Sequence, residues 1–176
     1  MTAVGSIMYV VMGTHIDVVF AVQHLIQFSS NPGQAHWTAT QRVVRYLYAT
    51  QGHILTLGGS GKIVLHIFMD SDWSADVDNH QSISGYVFSL GGGAISWSSK
   101  KQAMVATSST EAEYMASCHA MKEAMWLCAL LKLIGFEQKQ PTLISCDNNS
   151  LNTLGQDPSF HKRMKHIDIQ YHYVYE

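Results

Sequence analysis

An α/β fold with a mixed sheet, preceded by a small helical segment, is predicted by three features of the sequence. Up to about residue 58, apolar side chains recur at helical spacing between clusters of turn formers. Beyond a glycine-rich stretch, short runs of β-branched and aromatic residues read as strands. A long run with four-three spacing follows, then one more short strand and two helices, and this alternation argues α/β rather than separate all-α and all-β parts.

The helical lead-in starts with an apolar run over 4–12, continues over 17–28 and breaks at Ser29-Ser30-Asn31-Pro32-Gly33. After the break, Trp37, Val44, Leu47 and Tyr48 fall on one side of a helix, with Gln41, Arg42 and Arg45 largely on the other. Gly58-Gly59-Ser60-Gly61 is the linker candidate, four small residues ahead of a new pattern. Strands are expected over 62–69, 85–90 and 94–98, the last two joined by Gly91-Gly92-Gly93, where glycine permits the positive φ of a hairpin loop. A glycine run can also cradle phosphate, but that use needs a helix N-terminus next, and here a strand follows. Ser108 and Glu111 have capping-box spacing and open a helix to about Ile134, with Tyr114, Cys118, Met121, Met125 and Cys128 at four-three spacing and Gly135 at its end. Residues 142–146 read as a further strand. Asp147-Asn148-Asn149-Ser150 then offers caps for a short helix to about Leu154, and a last helix starts near Met164.

The 176 residues suffice for one α/β domain and a smaller helical piece. With 47% hydrophobic and 14% charged residues, a disordered chain is excluded. The net charge of -2 lacks the strongly basic balance of a dedicated nucleic-acid binder, so any phosphate must be held locally. Cys118, Cys128 and Cys146 are odd in number, sit in apolar stretches and lack metal-ligand spacing, and read as reduced core thiols. The apolar start is interrupted by His15 and Asp17 well short of the ~20 residues a membrane span needs, so a soluble intracellular protein is expected.

Two carboxylates stand where strands run out. Asp70 follows the apolar run 63–69 and Asp147 follows 143–146, and in open α/β sheets ligands collect beyond strand ends. Glu113, near the start of the long helix, is placed to point to the same region. The competing reading is that all three are caps or solvated surface groups, since acids near helix N-termini are stabilised by the dipole alone.

Five ordered motifs add a resemblance. Asp70-Ser71-Asp72-Trp73, Ser84-Gly85-Tyr86-Val87-Phe88, the stretch from Gly91 to Gln102 containing Ser96-Trp97-Ser98-Ser99-Lys100-Lys101, Ser108-Ser109-Thr110-Glu111-Ala112-Glu113-Tyr114-Met115-Ala116 and Lys165-His166-Ile167-Asp168-Ile169 closely resemble the ribonuclease H region of copia-type retrotransposon polyproteins. Gly5-Ser6-Ile7-Met8-Tyr9 and Asn31-Pro32-Gly33-Gln34-Ala35-His36-Trp37 are similar to the segment joining polymerase to ribonuclease H in that family. The resemblance implies a helical connection over 1–58 and a ribonuclease H-like domain over 62–176, a mixed sheet flanked by helices. It implies an endonuclease that cuts the RNA strand of an RNA-DNA hybrid with two Mg²⁺, Mn²⁺ being an alternative. In it Asp70 bridges both metals, while Glu113 and Asp147 hold the one on the leaving-group side and Glu113 also senses the RNA 2′-hydroxyl. Two such cations, about 3.5 to 4 Å apart, clamp the attacking and leaving oxygens of an in-line displacement. The implied partners are the hybrid and the remaining polymerase and C-terminal parts of a Pol polyprotein, with no membrane; the implied location is the cytoplasm, a virus-like particle or the nucleus.

The same comparison exposes departures. The family's fourth acid lies in an Ala-Asp-Ile-Leu-Thr-Lys-like segment downstream of Tyr175-Glu176, so the domain is expected to lack its last strand and helix, to expose a sheet edge and to cleave weakly or not at all. An inactive retroelement remnant, at most a weak nucleic-acid-binding or interaction module, is therefore the alternative. Asp168 reads as a helix cap, and Asp72 as a spare carboxylate. His161, His166 and His172, six residues apart, do not share a helix face as zinc ligands do. Trp73 and Trp97 read as core before base-stacking groups. Asn79-His80-Gln81 and Thr14-His15-Ile16-Asp17 lack arginines usual in the family, which weakens phosphate neutralisation. Lys100, Lys101, Lys162, Arg163 and Lys165 are the basic candidates left. No counterpart of the polymerase's paired aspartates is present, so reverse transcription by this chain alone is not expected.

Overall fold

The computed structural model describes residues 2–58, 63–76 and 78–147. Its contacts separate two units, Met1–Thr56 and Leu57–Glu176. The linker stretch lies just after this division, and its first residue is already engaged, with Gly58 N–H donating to Gly91 O at 2.9 Å.

The first unit contains α1 (Thr2–Thr14), a 3-10 turn at Ile16–Val18, α2 (Val19–Gln27) and α3 (Gln34–Thr50). Ile7, Val11, Val19, Val22, Leu25 and Val43 are its buried apolar residues. At the start of α3, Gly33 N–H donates to His36 Nδ1 at 2.9 Å, and the imidazole stacks on Phe28 with ring centroids 4.1 Å apart. The expected inner face of α3 is corrected: Trp37, Val44 and Tyr48 are exposed, and the inward stripe is Thr40 and Val43 with half-buried His36 and Leu47. Thr40 turns inward at little cost because its hydroxyl donates to His36 O at 2.8 Å, so no polar group is stranded.

The second unit contains β1 (His66–Asp72), β2 (Ile83–Leu90), β3 (Gly93–Lys101), α4 (Ser109–Leu133) and β4 (Leu143–Ser145). The sheet order is β3-β2-β1-β4, with β1-β2 and β2-β3 antiparallel and β1-β4 parallel. A parallel pair needs a crossover, and α4 supplies it. The sheet is mixed as expected, and the arrangement is consistent with a ribonuclease H-like fold.

β1 begins later and ends later than 62–69. Its pairing with β2 holds as far as Asp72↔Ile83, while Ile63 and Val64 ahead of it are exposed. The β2-β3 loop is shorter than the glycine triplet suggests. Gly91 (φ +60°) and Gly92 (φ +86°) form a two-residue turn with both residues left-handed, and Gly93 already pairs with Leu90. Register then shifts between Phe88↔Ser96 and Ser89↔Ala94, leaving Ile95 as a bulge.

α4 packs on the sheet through Ala116, Ala120, Leu127 and Leu131, against Leu65, Ile67, Met69, Tyr86 and Phe88. This displaces the expected seam: Tyr114 and Cys118 are buried, but Met125 is exposed. Alanines at 116 and 120 bring the helix close to the sheet, which methionines would not. Residues 111–118 are buried on all sides, so periodicity carries little information there. The three cysteines are free thiols; Cys118 is buried, and burial pushes its thiol up to about 12.

The N-terminus of α4 is capped as its sequence suggests, with one shift. Ser108 Oγ accepts from Glu111 N at 3.2 Å, while Glu111 Oε2 accepts from Thr107 N at 2.7 Å and Thr107 Oγ1 at 2.8 Å. Ser108→Ala is expected to lower stability by about 1 kcal/mol, readable in urea unfolding. Beyond the helix, Gly135 adopts φ +89°.

No helix among the described residues is long and apolar enough to cross a membrane. The helices expected after Asp147, together with Asp168, His161, His166, His172, Lys162, Arg163 and Lys165, lie outside the described residues.

Candidate metal centre

The parallel register of β1 and β4 brings two carboxylates together. Phe68↔Ser145 is the last rung; two residues beyond it Asp70 is still within β1, and Asp147 stands two residues past the end of β4. Asp70 is not at a strand end as expected: β1 continues through Ser71 and Asp72, paired with Ser84 and Ile83. It is exposed because it falls on the outward-facing side of β1, as His66 and Phe68 do. The third acid, Glu113, is the fifth residue of α4 and is buried. One carboxylate oxygen from each of Asp70, Glu113 and Asp147 lies within 4.8 Å of the others.

Three like charges this close are unfavourable without a counter-charge. Glu113 is pushed up to about 7 by burial first and then by Asp70 and Asp147, and the proximity of Ser71 offsets only part of that. Its Oε2 is buried with no hydrogen-bond partner. Asp70 Oδ1 accepts from Ser71 N at 2.8 Å, which fixes its carboxylate locally. Hard oxygen donors, an unpartnered buried carboxylate oxygen and mutual repulsion together fit an oxygen-preferring divalent cation such as Mg²⁺.

The raised Glu113 gives a signed prediction. A carboxyl that stands near 7 when folded, against an ordinary 4.5, keeps its proton where the unfolded chain has lost it. Folded protein therefore binds more protons across this window, and stability falls as pH rises from about 4.5 through 7. Between acid and mildly alkaline pH the loss from this residue is on the order of 2 kcal/mol, after allowing for solvent screening. Urea unfolding at the two ends of the window should show that Glu113→Gln removes this component, and that added Mg²⁺ stabilises the parent chain most at the alkaline end.

Asp72 is exposed at the end of β1 and does not join the three acids. Trp73 is not core: it is half-exposed, with its indole N–H donating to Ala106 O at 3.2 Å, whereas Trp97 is half-buried. Two supporting residues escaped the sequence reading. Asp76 is buried and accepts from Asp78 N at 3.0 Å and Asn79 Nδ2 at 3.2 Å. It also pairs with Lys101, and these bonds hold its carboxyl well below the usual range. Its signal was the Asx-turn spacing of Asp76, Asp78 and Asn79. Gln102 is buried and donates from Nε2 to Ser84 Oγ at 2.8 Å and Ala112 O at 2.9 Å, tying the end of β3 to the residue before Glu113. No periodic signal marks it.

No family model and no solved structure matches this chain. Curated relatives do. The chain is 43% identical over 175 residues to the "Retrovirus-related Pol polyprotein from transposon TNT 1-94" of Nicotiana tabacum, covering 99% of this chain and 13% of that protein. It is 42% identical over 171 residues to the "Retrovirus-related Pol polyprotein from transposon RE2" of Arabidopsis thaliana, covering 97% of this chain and 12% of that one. The chain belongs to the copia-type retrotransposon Pol family. It spans about an eighth of the length of these Pol relatives. A much shorter relative of this Pol-family chain is the "Secreted RxLR effector protein 161" of Plasmopara viticola, 49% identical over 127 residues, which are 72% of this chain and 89% of that protein.

Proposed function

We propose that this Pol-family chain carries a ribonuclease H-type endonuclease site that cuts the RNA strand of RNA-DNA hybrids. The observation that carries this reading is the convergence of Asp70 on β1, Glu113 on the crossover helix and Asp147 just beyond β4. Asp70 and Asp147 are the solvent-facing ligands and Glu113 the buried one. Mg²⁺, or Mn²⁺ in its place, supplies Lewis acidity toward a phosphoryl oxygen and lowers the pKa of water. The chain's own contribution is placement: β1 holds Asp70 on the sheet, α4 delivers Glu113 from a packed helix, and Asp147 stands two residues beyond β4. The test is incubation of the chain with end-labelled RNA annealed to DNA, in Mg²⁺ and in Mn²⁺, beside Asp70→Asn. Internal cuts in the RNA strand that vanish in the variant are expected; equal cutting by both rules the site out.

A second reading, an inactive retroelement remnant that is at most a weak nucleic-acid-binding or interaction module, is compatible with the short Plasmopara relative, which this chain matches over 89% of that protein's length. Hybrid binding with no cleavage in either metal selects it.

A further inference from the structure

Three elements of the first unit meet at His15, the residue between α1 and the 3-10 turn. Its backbone is fixed on both sides: His15 N–H donates to Val11 O at 3.0 Å, and His15 O accepts from Val18 N at 3.4 Å. The half-buried imidazole lies between two threonines. Nδ1 is 2.7 Å from Oγ1 of Thr14, the last residue of α1, and Nε2 is 3.1 Å from Oγ1 of Thr50, the last residue of α3. The second contact joins positions 35 residues apart in the chain.

Counting hydrogens decides what the ring does. A threonine hydroxyl has one hydrogen to give. Thr14 Oγ1 donates its own to Val10 O at 2.7 Å, and Thr50 Oγ1 donates its own to Tyr46 O at 2.9 Å. Both hydroxyl oxygens are left to accept from the ring, so both ring nitrogens must donate. Neutral imidazole has one N–H, whereas imidazolium has two. The charged ring therefore satisfies the whole arrangement and makes both bonds charge-assisted. In the neutral ring the shorter contact keeps the hydrogen on Nδ1. Nε2 then faces Thr50 as a lone pair, and Thr50 has to leave either Tyr46 O or the ring. The charged and titratable groups around the ring are few. α1 carries no acidic or basic side chain, and its ionisable Tyr9 is exposed. In the turn, Asp17 accepts from Tyr46 OH, and Tyr46 meets His15 edge to face with ring centroids 6.4 Å apart. On α3, Arg42 stands one turn before Tyr46 in the row that leads to Thr50, with Arg45 beside Tyr46. His53 N–H donates to Thr50 O at 2.9 Å, and α2 brings His24 alone.

We propose that His15 is a proton-operated clasp of the first unit: protonated, it ties the end of α1 to the end of α3 through both threonines, and on losing its proton it releases the tie to Thr50. Histidine suits this task because it changes charge near neutral pH. Arginine, usual in this motif of the family, keeps its charge and its donors at every working pH and would tie the same elements permanently. The direction follows from the extra bond. The protonated form makes the Thr50 tie, so the stability this tie contributes is present in acid and lost as pH rises through histidine's range.

The test is a double-mutant cycle in the full chain, with the parent, His15→Ala, Thr50→Val and the pair, at pH ~5.5 and ~8. Urea unfolding is followed through the backbone NMR signals of the first unit, and the titration of Glu113 in the second unit cancels in the cycle. The His15–Thr50 coupling should change the unfolding constant by about threefold or more at pH ~5.5 and leave it unchanged at pH ~8. A coupling of the same size at both pH values, or none at pH ~5.5, overturns the clasp. The same cycle with His15→Arg as its starting chain should give equal coupling at both. If that coupling falls with pH as the parent's does, another group carries the dependence and the clasp fails. Should the first unit of His15→Ala not fold, the ring ¹⁵N signals of His15 in the parent decide. Both nitrogens protonated at pH ~5.5 and Nδ1 alone at pH ~8 are expected; a hydrogen kept on Nε2 at pH ~8 overturns the proposal.

Discussion

Asp70→Asn should lower hybrid cleavage by at least about a hundredfold, an activation difference near 3 to 4 kcal/mol, while leaving the fold intact. The substitution keeps the side chain's shape and the oxygen that accepts from Ser71 N, and removes only the charge. Asp70 is exposed, so no buried partner is stranded by the change. The loss should be measured as initial rate at saturating Mg²⁺, beside Asp72→Asn. Asp72 has the same chemistry two residues along β1 but lies outside the cluster, and its variant should stay within about twofold of the parent, as surface substitutions do. An independent readout accompanies the rate. Of the two charges that raise Glu113, Asp70 has the larger effect, so the variant should also shorten the pH window over which the chain loses stability.

The largest stability effect is expected from Phe88→Ala, about 3 to 5 kcal/mol. Phe88 has no exposed surface; it sits in β2 at the middle of the sheet and meets Tyr86 edge to face with ring centroids 5.2 Å apart. Its side chain is part of the layer on which α4 rests, and truncation leaves a void that a strand paired on both sides cannot collapse to fill. Phe68→Ala on β1 is the comparison, because that ring is 53% exposed and should cost under about 1 kcal/mol. Urea midpoints with an unchanged slope separate the two. Since a domain of this size has about 5 to 15 kcal/mol of net stability, the Phe88 change consumes a large part of it.

Local chemistry made much of the second unit legible. The hairpin was readable because its turn demands positive φ, and the long helix because Ser108 and Gly135 mark its ends. The four-three pattern within that helix misled, since its first third is enclosed on every side and apolarity no longer points one way. On α3 the bulky Trp37 and Val44 suggested the inner face, yet small Thr40 and Val43 occupy it, a choice made by the neighbouring helix and invisible in the chain's own pattern. Among the acids, Asp70 and Asp147 were legible as strand-associated carboxylates. What one strand's pattern could not disclose is that β1 runs past Asp70, paired with β2 as far as Asp72. Gln102 stayed hidden because an isolated polar residue carries no period and only its hydrogen bonds identify it, whereas Asp76 had a signal in the Asx-turn spacing with Asp78 and Asn79.

The three-residue β4 has a bearing on how the molecule reaches its working state. β2 and β3 join across a two-residue turn, but Phe68 and Ser145 meet across more than seventy residues of chain. Once the hairpin and α4 are in place, only the short segment from Leu133 to Leu143 remains to be closed, yet three rungs reward that closure weakly, so Asp147 is expected to join the acid cluster last. A cation bound by the complete cluster would favour the docked strand by mass action, and metal binding would then be linked to this last step.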